Sequence, residues 1–443
     1  MSNESIDKKR SSKSARRYSN VPIKSESSAH DRAVIWLSNA PWAGTGYGQQ
    51  TAQVTTRLQK ENYKTAIISN YGLEGNNTSW NGIQIYQRGY DMWSNDIVPA
   101  HAIDWSTRNK DHQTVLFTLF DVWVLKNPRF DNLPIASWVP IDHLPTPPDV
   151  LSWCRKSNVM PIAMSQFGKH MLNSKDVDCL YVPHAIEKNF KPTDKISNSK
   201  QDFTGRQFMG FDEDVFVVSM FAANKGVMPN RKAFAENLLA FSAFAKKHDD
   251  VRLYMHTEDA GGGGGINLIK LLEAVGVPQD KYKFVDQYAY RVGVPQEALA
   301  TLYTATDVLL ACSMGEGFGI PVIEAQACGT RVIVSNFSAQ PELVGDGWIV
   351  EGQPFWDAMQ SAWLHIPNVQ EILNSLEQAY NVGRSRSNKA IAHAKKYDAD
   401  YIFETAWLPA LERIYSDEFL KGIPEPIIPI KVAENGSAGV LEA

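Results

Sequence analysis

Short, β-rich apolar runs alternate with amphipathic helical text along most of this chain, and they do so in two successive series. The first passes through AVIWLS from Ala33, KTAIISN from Lys64, IQIYQR from Ile83, TVLFTL from Thr114, IASWVP from Ile135, PIAMS from Pro161 and LYVPH from Leu180. The second passes through VFVVSMF from Val215, VRLYMHT from Val251, YKFVDQ from Tyr282, VLLACS from Val308 and TRVIVS from Thr330. Strands separated by helix-length connections are expected to lie parallel, in sheets covered by helices. Helices are expected over Gln49–Lys60, over Lys232–Lys247, where Phe234, Leu238, Phe241 and Ala245 share one face, and in the final stretch ADYIFETAWLPALERIY. The fold class this predicts is α/β with two Rossmann-like domains.

A length of 443 residues leaves room for two to three domains. The expected division is a basic tail over 1–31, a first domain over 32–205, a second over 206–397, a helix over 398–416 and a flexible tail over 417–443, with the polar stretch TDKISNSKQDFTGRQ as linker. Before Ala33, eight cations (Lys8, Lys9, Arg10, Lys13, Arg16, Arg17, Lys24, Arg32) face four carboxylates among many serines. Such a tail is either solvated or suited to a polyanionic partner such as nucleic acid or a phospholipid surface. Cys154, Cys179, Cys312 and Cys328 form no CxxC pair, and no apolar run is long enough to span a bilayer. A reduced, cytoplasmic chain without zinc is expected.

Chemistry concentrates in CSMGEGFGIPVIEAQACGTRVIVSN, from Cys312 to Asn336. A strand ends, a loop with Gly315, Glu316, Gly317, Phe318 and Gly319 follows, and Pro321 stands where it can open a helix. Glycines let the backbone approach a ligand, and the new helix offers unpaired N–H groups, so an anion site is expected. Glu316 on the loop and Glu324 in the first turn of the helix can both face a ligand there, and a carboxylate accepting two hydroxyl hydrogen bonds suits a sugar ring. The plain alternative is that Glu324 only complements the helix N-terminus.

With FGIP between two glutamates, these residues resemble the retaining glycosyltransferases of family 4, which have the two-domain GT-B architecture, and the resemblance extends from about Arg32 to Tyr415. It implies two Rossmann-like domains facing each other across a cleft, with the last helix crossing back to the first. It also implies contact of Glu316 with the transferred sugar, of the Gly317, Phe318, Gly319 and Ile320 backbone with sugar and diphosphate, and of Glu324 with the ribose. The family's diphosphate-binding pair falls in MFAANKGVMPNRKAFAENLLAF: Lys232 matches its lysine, Asn224 replaces its arginine, and Arg231 and Lys225 are candidates to compensate. Cations at a helix start are unfavourable without an anion, which favours a phosphate role for Lys232.

The first-domain glycines Gly44, Gly46 and Gly48 fail the dinucleotide fingerprint, because Gln49 replaces the third glycine and Ser69 and Asn70 end the next strand. A dehydrogenase is therefore disfavoured, and the resemblance places Gly46 against the donor. In WVPIDHLPTPP the family's cleft histidine falls on Asp142, with His143 directly after it; either one can serve the donor sugar or the incoming hydroxyl, or simply shape the turn before Pro145. His184 in VPHAIEKNF is expected to be packed. The five glycines Gly261–Gly265 lack a GKS or GKT ending and are expected to be a flexible connector. Asp176-Val177-Asp178 and Asp212-Glu213-Asp214 imitate a metal-binding DxD in turn-like text, and no required metal is expected. Among the first-domain tryptophans, Trp80, Trp93 and Trp105 lie in loop-rich text and are candidates for an acceptor surface.

The function this resemblance implies is transfer, with retention, of a hexose-type sugar from a UDP- or GDP-sugar; the acceptor is left open among a glycan, a lipid, a protein hydroxyl and a hydroxylated nucleic-acid base, and no further cofactor is expected. The competing readings are a GT-B-shaped nucleotide-sugar epimerase or phosphorylase, and a non-catalytic sugar- or nucleic-acid-binding protein on the same fold.

Overall fold

The two series of apolar runs become two parallel sheets in a computed structural model that describes residues 31–197 and 202–420. The first sheet contains β1 (Arg32–Asn39), β2 (Lys64–Tyr71), β3 (Thr78–Trp80), β4 (Ile83–Tyr86), β5 (Gln113–Leu119), β6 (Ile135–Val139), β7 (Val159–Ala163) and β8 (Leu180–Tyr181). Their order is β3-β4-β2-β1-β5-β6-β7-β8, with only β3 antiparallel to its neighbour. A small antiparallel pair, β9 (Lys195–Ser197) and β10 (Asp202–Thr204), follows within the stretch expected to be linker.

The second sheet contains β11 (Phe216–Phe221), β12 (Val251–His256), β13 (Tyr282–Phe284), β14 (Val308–Ala311), β15 (Arg331–Ser335) and β16 (Gly347–Val350), in the order β13-β12-β11-β14-β15-β16. Its strands are all parallel. Helices cover both sheets, which is why β1 and β11 read as unbroken apolar runs: their side chains are buried on either face. An antiparallel hairpin that the sequence did not suggest, β17 (Gly352–Asp357) and β18 (Ala362–Pro367), leaves the second sheet after β16.

The last helical stretch returns to the first domain. It runs from Ala399 to Ile414 through a π-helical segment, Phe403–Trp407. That segment lies just before Pro409, whose missing N–H interrupts the regular hydrogen-bond ladder. Trp407 packs on Trp36, Phe117 and Trp138 of the first sheet at ring distances of 5.8, 6.4 and 4.9 Å. The Tyr415 hydroxyl donates to the Ala33 carbonyl at 2.6 Å, and Arg32 forms a two-pronged pair with Glu412 at 2.5 and 3.0 Å.

Several expectations shift. The first helix begins at Gly46 instead of Gln49, and the Lys232–Lys247 helix contracts to Phe234–Ala245. Asp417–Leu420 is a helical turn with Phe419 buried, so the flexible tail expected from 417 does not begin there. The expected basic tail through residue 30, and the rest of the C-terminal tail from 421, lie outside the described residues. The glycine run Gly261–Gly265 is tied down instead of loose: Glu258 accepts from the N–H groups of Gly261 and Gly262 at 2.7 and 2.9 Å, and the Gly264 carbonyl accepts from Gly226.

Candidate active site

In open parallel sheets, ligands bind beyond the carboxyl ends of the strands where the strand order reverses. In the second sheet that point lies between β11 and β14, and the loops that leave these strands carry Asn224–Lys232 and Cys312–Gly319. In the first sheet it lies between β1 and β5, where the Gly44–Gly48 turn begins. The two places face each other: a methyl on Gly46 would come within 3.0 Å of Ile320, one on Gly317 within 2.7 Å of Pro140, and one on Gly315 within 2.4 Å of the Asp142 carbonyl.

The loop after β14 turns into a helix, Ile320–Ala327, through Gly319, whose φ of 113° is open to glycine and costly for other residues. Among the described residues, the N–H groups of Gly317, Phe318 and Gly319 find no protein acceptor. Three free donors just ahead of a helix start are an arrangement that favours an anion. The Phe318 side chain, by contrast, belongs to the core beside His184 and Tyr397.

Around this loop lie two ion pairs. Lys232 reaches Glu316, and Arg231 reaches Asp142 of the first domain while also donating to the Gly315 carbonyl at 3.3 Å. Lys232 stands just outside the helix, followed by Ala233 in the left-handed region at φ 47°. Burial works against charge on Glu316, but Lys232 and then Arg231 outweigh it and hold the carboxyl below its ordinary value. Asp142 is held well below its own, with burial overcome by Arg231 and His143. His143, nearly buried, lies between Asp142 Oδ1 at 2.6 Å and Asp357 Oδ2 at 3.2 Å. Burial would lower its pKa, but the two carboxylates raise it above the usual histidine value.

Glu324 is not in the first turn, which holds no acidic residue; it lies one turn further in and is 3% exposed. The Tyr303 hydroxyl donates to its Oε2 at 2.8 Å, while its Oε1 is buried without a partner. Burial pushes its carboxyl up to about 7, against the Tyr303 hydroxyl and the nearby side chain of Gln49 of the first domain. Tyr303 in turn stacks on Phe221 at 4.1 Å.

Asn224 does not stand in for an arginine. Its side chain is buried and accepts from Ile266 N–H at 3.0 Å while donating to the Ile266 and Glu258 carbonyls at 2.7 and 3.0 Å. Gly265 is required beside it, because a methyl there would lie 2.3 Å from Asn224. Lys225 reaches the other way, placing its ammonium 5.2 Å over the Tyr71 ring at the end of β2. His184 is packed as expected, 4.3 Å from the Trp138 ring, and burial lowers its pKa to about 3.

Asp176 and Asp178 lie just after the helix Gln166–Asn173, and Asp212–Asp214 just before β11; no cluster able to hold a metal occurs among the described residues. Trp93 and Trp123 line a cavity of about 690 Å³ on the first domain with Asp91, Asn95, Lys126 and Asn127. Trp80 lies on the edge strand β3, and Trp105 lies in the helix Val98–Arg108 with its indole nitrogen buried and unpartnered. Sequence reasoning missed Tyr303, Asp357 and the role of Gln49. Only Gln49 left a signal, as the residue that broke the glycine fingerprint.

Residues 220–396 match the family model of glycosyl transferases group 1. A D-inositol 3-phosphate glycosyltransferase of Geodermatophilus obscurus is 30% identical over 182 residues, which is 39% of this chain and 37% of that protein. The chain spans between 18% and 37% of the length of the first curated relatives it matches. Sucrose-phosphate synthase of Thermosynechococcus elongatus superposes with a TM-score of 0.64 at 14% identity, over 86% of this chain and 98% of that one. Anabaena HepE in complex with UDP-glucose superposes with a TM-score of 0.59 at 14% identity, over 86% and 99%. The fold is GT-B: two Rossmann-like domains across a cleft, with the last helix returning to the first.

Proposed function

We propose that this chain, whose residues 220–396 carry the group 1 glycosyl transferase domain, moves a hexose-type sugar from a nucleoside diphosphate sugar to an acceptor hydroxyl with retention of configuration. The observation that carries this reading is the unit Cys312–Ala327. There, free N–H groups at a helix start, a buried glutamate with an unpartnered oxygen and a charged Glu316 converge opposite Arg231 and Lys232.

The diphosphate lies on the Gly317–Ile320 backbone and draws Lys232 away from Glu316, with Arg231 beside it still held by Asp142. The ribose hydroxyls donate to Glu324, and Glu316 is left to contact the sugar. As the anomeric carbon–oxygen bond breaks, its electron pair goes to the diphosphate, where fixed cations and helix-end donors stabilise the new charge. The acceptor oxygen attacks from the same face and passes its proton to a leaving phosphate oxygen. Gly46 faces the donor from the first domain, and Asp142 lies where it can hydrogen-bond the sugar or the incoming hydroxyl. A donor bound to UDP fits the complex of HepE with UDP-glucose, and a GDP-sugar remains the other candidate. The cavity beside Trp93 and Trp123 is the place for the acceptor, at the carboxyl end of the first sheet.

Release of free nucleoside diphosphate from a panel of UDP- and GDP-sugars, with mixed acceptors, tests this. Release that Glu316→Gln lowers by about 100-fold or more is expected. Absence of release from every donor would refute it.

A further inference from the structure

The hairpin β17–β18 stitches the two domains together. Trp363 exchanges both backbone hydrogen bonds with Leu144 of the first domain, at 2.8 and 3.0 Å, and His365 N–H donates to the Met314 carbonyl in the glycine loop at 2.9 Å. At the end of β17, Asp357 lies against His143, His143 against Asp142, and Asp142 against Arg231. This chain of side chains leaves the second domain, crosses the first and returns to the second. An imidazole set between two carboxylate oxygens satisfies both only when both its nitrogens carry protons.

We propose that Asp357 is a positioning residue: the docked hairpin fixes His143, and through it aims the Asp142 carboxylate at Arg231, so that this part of the site is assembled only when the hairpin bridges the cleft. The catalytic consequence rests on the glycosyl transfer reading; the geometry does not. Asp357 also shapes its own turn, with Oδ1 accepting from Met359 and Gln360 N–H at 3.0 and 3.4 Å. Asparagine keeps an oxygen for that turn and removes the charge, which separates the two roles.

The groups that face His143 are Asp142 on its own loop and Asp357 on the hairpin, with Arg231 beyond Asp142 and Asp121 further off. Because docking raises the proton affinity of His143, the bridge is fully formed below the ordinary histidine value and weakens as pH rises through the raised one.

The test is proton NMR of the full chain with labelled histidines, with the His143 signal assigned by its loss in His143→Gln. The wild-type midpoint should lie above the ordinary histidine value of about 6.5, and Asp357→Asn should lower it by about one unit, a tenfold loss of proton affinity. Asp142→Asn, as a second variant, should lower it as well. On whichever nucleotide-sugar the wild type consumes, Asp357→Asn should lower kcat about 10- to 100-fold, leave the donor KM within about twofold, and move the basic limb of the pH profile to lower pH. A midpoint that Asp357→Asn leaves in place, or a wild-type midpoint at or below 6.5, would overturn the proposal. If the wild type consumes no nucleotide-sugar, the transfer reading fails while the His143 midpoint still decides the bridge.

Discussion

Glu324 sets binding against stability. A buried carboxylate with one unpartnered oxygen resists ionisation, whereas the ribose contact proposed for it calls for the charged form. Its raised value of about 7 means that the folded chain holds the proton more tightly than the unfolded one, and this advantage is lost as pH rises through that value. Glu324→Gln should therefore stabilise the protein at pH 8 by up to about 3 kcal/mol and change little at pH 4. Denaturant unfolding at the two pH values checks this. In the wild type, donor affinity should fall as pH drops below about 7, because protonation removes an acceptor. That Glu316, Glu324 and Lys232 would lie around one loop was legible from FGIP between the glutamates and from the helix after Lys232; that Glu324 would be buried one turn deeper against Tyr303 was not. The registration of Asp142 and His143 was not, since adjacent residues on a turn diverge in direction for reasons outside their own sequence. Here the deciding group is Asp357, 214 residues away in sequence.

At the scale of elements, the crossing helix depends on Trp407, which is buried among Trp36, Phe117 and Trp138. Trp407→Ala should cost about 3–5 kcal/mol, seen as a lower urea midpoint, and should loosen the last helix from the first sheet. Strands of the two sheets announced themselves as continuous apolar runs, because both faces are covered. The hairpin β17–β18 did not. Its strands, GQPFWD and AWLHIP, are joined by AMQS without a glycine or asparagine turn signal. Its partners are Leu144 and Met314, which no local pattern reveals. Glycine-rich text misled in the opposite sense. Gly261–Gly265 suggested looseness, but the buried Asn224 and Glu258 hold its ends and its backbone donors.

The whole molecule brings two domains within contact distance through glycines. Gly317 has Pro140 directly opposite, and a methyl group would lie 2.7 Å from it. Gly317→Ala should therefore hold the cleft open, with a larger radius of gyration in solution scattering and transfer activity reduced about 100-fold, while each sheet keeps its core. The two-domain plan and the returning helix were readable from alternation and resemblance. The closeness of the domains was not, because it depends on backbone approaches between residues far apart in sequence. The proposed occupant of the Cys312–Ala327 unit is a nucleoside diphosphate, and calorimetric binding of UDP and of GDP to the wild type and to Glu324→Gln at pH 8 tests for it. One nucleotide should bind the wild type, and Glu324→Gln should weaken it at least about tenfold, the worth of a charged hydrogen bond to a hydroxyl. Failure of both nucleotides to bind, or binding that Glu324→Gln leaves unchanged, would contradict it.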